Sequence, residues 1–151
     1  MEEELIVTDP VTDAAPGALP RPDGLPTRTD APAAPTDVMP LEIARLAVEA
    51  AEDKKAADIV LLDVTGLTSI ADYFVICSGG SERQLAAIVD AIVDRVREVG
   101  LRPYSREGAA LSHWLLLDLG SVIVHVLAPP ERDFYQLERL WAEARTVVRV
   151  Q

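Results

Sequence analysis

From residue 41 onward the apolar positions keep two rhythms in turn, one near 3.6 and one near 2 or unbroken, and their alternation predicts the order of elements. Leu41, Ala44, Val48 and Ala51 recur at helical spacing, with Pro40 tolerated in a first turn, so a helix is predicted over residues 37–54. Its apolar side is mostly small. Residues 58–64 and 72–77 read as two strands, separated by Gly66 and the turn-prone stretch 65–71, and both are too apolar to stand exposed. Leu85, Ile88, Val89, Ile92, Val93 and Val96 then return to helical spacing. Ser81 caps that helix with Gln84 reaching back to it, and Gly100 closes it as a left-handed cap. A short strand over 101–105 and a polar loop with Arg106, Glu107 and Gly108 lead to a hairpin around Leu119-Gly120. The Pro129-Pro130 step ends the hairpin and starts a last helix with Phe134, Leu137, Trp141 and Ala144 on one face. The order helix, strand, strand, helix, three strands, helix predicts an α/β (α+β) domain: a mixed five-stranded sheet with flanking helices.

Side-chain parity carries the hairpin further. With Leu119 and Gly120 as the central turn residues, Asp118 faces Ser121, Leu116 faces Ile123 and Trp114 faces His125. One face then holds Trp114, Leu116, Asp118, Ser121, Ile123 and His125. The other holds His113, Leu115, Leu117, Val122, Val124 and Val126, an almost wholly aliphatic set that belongs in the core. The mixed face is the candidate for contact with a partner.

Composition divides the chain. Residues 1–40 hold eight of the 11 prolines, eight acidic residues against Arg21 and Arg28, and no aromatic residue, which predicts a disordered acidic tail over residues 1–38 and a folded domain over 39–151. Neither a signal peptide nor a run of about 18 apolar residues is present, so the expected location is the cytoplasm, with no membrane partner. The formal charge is −11, and the part after residue 40 is acidic on its own. Nucleic-acid binders present a basic footprint to phosphates, so direct nucleic-acid recognition is disfavoured and a basic protein partner is favoured. Cys77 has no second thiol, which rules out a disulfide framework and a cysteine-rich zinc site.

Candidate chemistry is sparse. Ser78-Gly79-Gly80-Ser81 lies between a strand and a helix start, where backbone amides can cradle a phosphate, yet a glycine turn ending in a serine cap accounts for it without a ligand. Its Gly-Ser pattern also has a counterpart in nucleotidyltransferases. Those enzymes need closely spaced carboxylates for magnesium, and no D-x-D or D-x-E follows on a strand. His113 and His125 point to opposite hairpin faces, so no metal site and no cofactor is expected. His125 reads as a structural histidine beside Trp114, with a general base paired to Asp118 as the alternative. Trp114 stands between core and interface; helical spacing favours core for Trp141.

Many ordered segments of this chain resemble one family. Asp72-Tyr73-Phe74-Val75-Ile76-Cys77-Ser78-Gly79, Glu107-Gly108, Trp114-Leu115-Leu116-Leu117-Asp118, Gly120, Val124-His125-Val126, Arg132, Phe134-Tyr135 and Leu137-Glu138-Arg139-Leu140-Trp141 resemble the ribosomal silencing factor, or Iojap, family over about residues 40–145. The resemblance implies a nucleotidyltransferase-like fold lacking the catalytic residues, and a binding protein, not an enzyme. It further implies docking on ribosomal protein fourteen of the large ribosomal subunit, a steric block to subunit association that represses translation under nutrient limitation, and a homodimer. Carried onto this chain, it makes Trp114 the anchor, with Asp118, His125 and Tyr135 lining the same surface and Glu107 or Glu138 meeting basic groups of the partner. The rival reading is a nucleotidyltransferase-like enzyme or phosphate binder using Ser78 to Ser81.

Overall fold

The structure, a computed structural model, describes residues 38–151; the expected tail lies outside the described residues. The elements run α1 (Pro40–Asp53), β1 (Ala57–Asp63), β2 (Tyr73–Ser78), α2 (Glu82–Arg97), β3 (Ser105–Glu107), a 3-10 turn, β4 (Trp114–Asp118), β5 (Val122–Leu127), α3 (Pro129–Tyr135), α4 (Leu137–Leu140) and β6 (Arg145–Val150). The strands form one mixed sheet in the order β3-β4-β5-β2-β1-β6, in which only β2 and β5 run parallel. The α+β architecture is as expected, but among the described residues the sheet has six strands where five were predicted. The sixth is Arg145–Val150, a segment rich in β-branched residues for which no strand was predicted; it pairs antiparallel with β1.

The long helices form where the apolar spacing places them. Pro40 opens α1 at its N-terminus, and Ser81 caps α2 by accepting the Gln84 amide at 3.1 Å. The reciprocal bond differs by one residue: Gln84 Oε1 accepts from Gly80 N at 2.7 Å, while its Nε2 donates to the carbonyls of Lys54 and Lys55 at 3.0 Å each. One side chain thereby ties the start of α2 to the end of α1. Arg95 joins the two helices again through Glu49 at 3.0 Å and Asp53 at 2.7 Å.

Both sheet faces are buried. On the first, Ile59, Leu61, Val75, Leu115, Leu117, Val122, Val124 and Val126 pack against Ile43, Ala47, Leu85, Ile88, Val89 and Ile92 of α1 and α2. The small residues along α1 let it lie close to the sheet, and each fully buried Leu, Ile or Val contributes roughly 1.5–3 kcal/mol. On the second face, Val60, Leu62, Phe74, Ile76, Leu116 and Ile123 meet Trp114, Leu137 and Trp141.

The expected last helix is broken. Gln136 adopts φ 48°, a left-handed conformation that ends α3 after seven residues and starts the four-residue α4 in a new direction. Leu137 and Trp141 therefore turn into the core as predicted, whereas Phe134, assigned to the same face, is 79% exposed. The third strand also begins later than residue 101, at Ser105, because Leu101 is used to close α2 through its bond to Val96 O.

Candidate docking site

The hairpin register is shifted by two residues from the expected one. Asp118 lies opposite Ile123, Leu116 opposite His125 and Trp114 opposite Leu127, so Gly120 and Ser121 are the central turn residues. Leu119 N donates to Val122 O at 2.8 Å, Gly120 takes φ +94°, and Asp118 Oδ1 accepts the Gly120 amide at 2.9 Å. Glycine at the first central position with positive φ suits a two-residue hairpin turn. A slip of two residues preserves parity, which is why both faces keep their predicted strand residues. His113 is the exception: it precedes β4 with φ +64°, and its ring lies 3.4 Å from both Glu131 and Glu82 instead of entering the aliphatic core.

The mixed face is not open to solvent: Leu137, Trp141 and apolar residues of the 64–71 segment pack on it, with Tyr135 against Trp114. Asp118, His125 and Glu107 are each about 1% exposed, so they lie beneath the surface that a partner would touch. Parity sorted these residues to one face but could not show what covers it. His125 and Glu107 come from neighbouring strands and flank Leu116 in one cross-strand row. Trp114 Nε1 donates to His125 Nδ1 at 3.3 Å. Gly108 lies against the backbone of the same residue: with φ +83°, a Cβ there would run into the Trp114 carbonyl.

Trp114 occupies the boundary between core and surface at 8% exposure. The ring of Tyr135 tilts over it at a centroid separation of 4.6 Å, and Phe134 meets Tyr135 edge-on at 5.0 Å. Leu140 is also exposed. Buried Trp114 therefore supports an outer layer of Tyr135 and Phe134. Trp141 lies deeper, against Phe74 at 4.9 Å, and belongs to the core.

Glu138, assigned to basic groups of a partner, already meets a basic group of its own chain. Arg132 donates to its carboxylate at 2.7 and 3.4 Å and to Ser78 Oγ at 3.0 Å. Partial burial pushes the Glu138 carboxyl upward, but the Arg132 bonds outweigh it and hold the group below the usual glutamate range. The same arginine faces the end of β2, where burial raises the Cys77 thiol to about 12 and leaves it unreactive. Sequence reading missed this Arg132–Ser78–Glu138 cluster. The only available signal was the spacing of Arg132 and Glu138, which does not connect them across a helix break.

The Ser78 to Ser81 loop is closed on itself. Gly79 N donates to Leu127 O at 3.1 Å and Gly80 N to Gln84 Oε1, while Ser78 is buried under Arg132. Those two amides are committed to the protein and are not offered to a ligand. Among the described residues no group of three or more His, Cys, Asp or Glu side chains is placed to hold a metal ion, and no helix is long and apolar enough to cross a membrane.

The model of the family described as ribosomal silencing factor during starvation matches residues 38–151. The chain belongs to this ribosomal silencing factor family. It is 44% identical to ribosomal silencing factor RsfS of Bacillus subtilis over 102 residues, covering 68% of this chain and 86% of that protein. A crystal structure of a Chromobacterium violaceum protein superposes with a TM-score of 0.68 at 36% identity, covering 74% of this chain and 94% of the other. More distant is the mouse protein named mitochondrial assembly of ribosomal large subunit protein 1, 38% identical over 91 residues that span 58% of this chain and 40% of that protein. Membership in the ribosomal silencing factor family supports a role in ribosome silencing and association with the ribosome.

Proposed function

We propose that this chain docks on ribosomal protein fourteen of the large ribosomal subunit and, by its bulk, prevents the small subunit from joining, so that translation falls under nutrient limitation. Residues 39–151 form the working domain and act in the cytoplasm. The observation that carries this reading is the exposed Phe134–Tyr135 pair seated on buried Trp114. Aromatic groups held rigid from below lose little entropy on binding, the usual property of an interface anchor. Asp118, His125 and Glu107 position Trp114 and its strand from beneath, and Glu138 sets the rim through Arg132. An acidic domain suits a basic ribosomal protein, with charge assisting encounter and the aromatic layer supplying affinity. The name of the mouse relative, which refers to the ribosomal large subunit, favours that subunit over the small one.

The test is a subunit-joining assay on sucrose gradients. Purified large and small subunits mixed in the presence of this protein are expected to stay apart, with the protein migrating in the large-subunit fractions. Undiminished joining at saturating protein would overturn the steric reading. Comigration with small subunits would overturn the partner assignment.

A further inference from the structure

Helix α3 presents Phe134 and Tyr135, yet little of it is anchored in the core. It has seven residues, none of them buried, and Ala128 at its start offers no side-chain cap. A helix this short has little stability of its own, so its placement depends on a few ties. Arg132 supplies one, to Ser78 and Glu138. His113 supplies another, and it joins α3 to α2: its Nδ1 lies 3.4 Å from Glu131 Oε2 of α3, and its Nε2 lies 3.4 Å from Glu82 Oε2 of α2. The backbone fixes the ring there, because His113 takes φ +64° and its carbonyl accepts the Ala128 amide at 2.9 Å.

Each ring nitrogen thus faces a carboxylate oxygen. A neutral imidazole has one N–H and one lone pair, so it donates to one carboxylate and turns its lone pair on the other, whereas the imidazolium donates to both. Glu131 sharpens the mismatch, since its second oxygen, Oε1, is buried without a hydrogen-bond partner among the described residues. The other elements beside the ring bring no compensating charge. The 3-10 turn Ala110–Ser112 and the end of β5 carry no charged side chain, Arg83 next to Glu82 is exposed and forms no ion pair among the described residues, and Arg132 turns to Ser78 and Glu138. The His113 side chain is 42% exposed, so it exchanges protons with solvent.

We infer that His113 is a pH-sensitive clasp: on protonation it fastens the start of α3 to the start of α2 and so steadies the Phe134–Tyr135 pair. Histidine changes charge between about pH 5 and 8, so the clasp engages toward the acid end of that range and releases toward the alkaline end. Its bearing on docking rests on the function proposed above. His125, the other histidine, gives the opposite sign: its Nδ1 accepts from Trp114 Nε1, and a proton on that nitrogen would break the bond beneath the anchor.

Hydrogen exchange of the full-length protein at about pH 5.5 and about pH 8, corrected for the intrinsic pH dependence of amide exchange, tests the clasp. In wild type the amides of residues 132–136 are expected to be about threefold better protected at the acid pH, as two partly exposed ion pairs allow. His113→Asn, which stays neutral and tolerates the left-handed backbone, and Glu131→Gln, which removes the α3 carboxylate, are each expected to abolish that difference while core amides such as that of Val75 keep wild-type protection. Equal protection of α3 at both pH values in wild type, or a difference that persists in His113→Asn, overturns the inference. Cosedimentation with large subunits over the same range reads the consequence, with affinity rising about threefold toward the acid pH in wild type and not in His113→Asn. A difference in exchange with no change in affinity upholds the clasp and counts against the docking surface. Affinity that falls toward the acid pH in both proteins overturns His113 as the controlling group and assigns the response to His125.

Discussion

The two faces of one sheet are closed in different ways. The first is almost wholly aliphatic and lies under two long helices that are tied together by Gln84 and Arg95. The second carries Trp114, His125, Asp118, Glu107, Phe74 and Trp141, and its cover includes the short α3 and α4, split at Gln136. A face made only of aliphatic groups maximises burial and offers nothing for recognition. A face with aromatic and polar groups under a short, broken cover can hold an anchor rigid while presenting part of it outside. Stability and docking are therefore assigned to opposite sides of the same strands.

Substitutions that act on one side alone sharpen this division. Leu117→Ala on the aliphatic face is expected to cost about 3 kcal/mol in chemical denaturation, leaving large-subunit affinity unchanged wherever the protein is still folded. Equal losses of stability and affinity would erase the distinction. Trp114→Ala crosses the boundary: affinity for isolated large subunits is expected to fall by about 2 kcal/mol or more, alongside a stability loss measured separately by denaturation. A folded Trp114→Ala protein that cosediments as wild type does would end its role as anchor support.

Smaller effects probe the ties on each side. Gln84→Ala removes bonds to Gly80, Lys54 and Lys55 and is expected to cost about 1 kcal/mol of stability with no effect on docking. Glu138 gives the smallest. Its folded carboxyl lies below the ordinary range, so its contribution is fully present above the unfolded value of about 4.3 and is lost as pH falls through the lower folded value. Glu138→Gln should flatten the stability profile below about pH 4.3, by under about 1 kcal/mol for a side chain a third exposed. An unchanged acid limb would show that the Arg132 pair contributes nothing measurable.

The sequence made the first face far more legible than the second. Periodicity located α1 and α2, and alternation sorted Leu115, Leu117, Val122, Val124 and Val126 to their core, because both patterns are local consequences of backbone geometry. The two-residue register error left that sorting intact. What failed depended on single backbone choices or on contacts distant in the chain. The left-handed turn at Gln136 ejected Phe134, and the bond from Arg132 to Ser78 spans 54 positions. Strand β6 carries the β-branched residues Thr146, Val147, Val148 and Val150, yet no element was predicted there. Resemblance named the residues around Trp114, while their depth rests on contacts distant in the chain, such as Tyr135 on Trp114 and Trp141 on Phe74.

Cosedimentation of the Phe134→Ala, Tyr135→Ala double variant with purified large subunits tests the division most directly. Both rings lie outside the core, so a denaturation midpoint close to wild type is expected together with affinity reduced by about tenfold or more. Wild-type affinity in a folded double variant would contradict the account, since the docking surface would then lie elsewhere on the molecule.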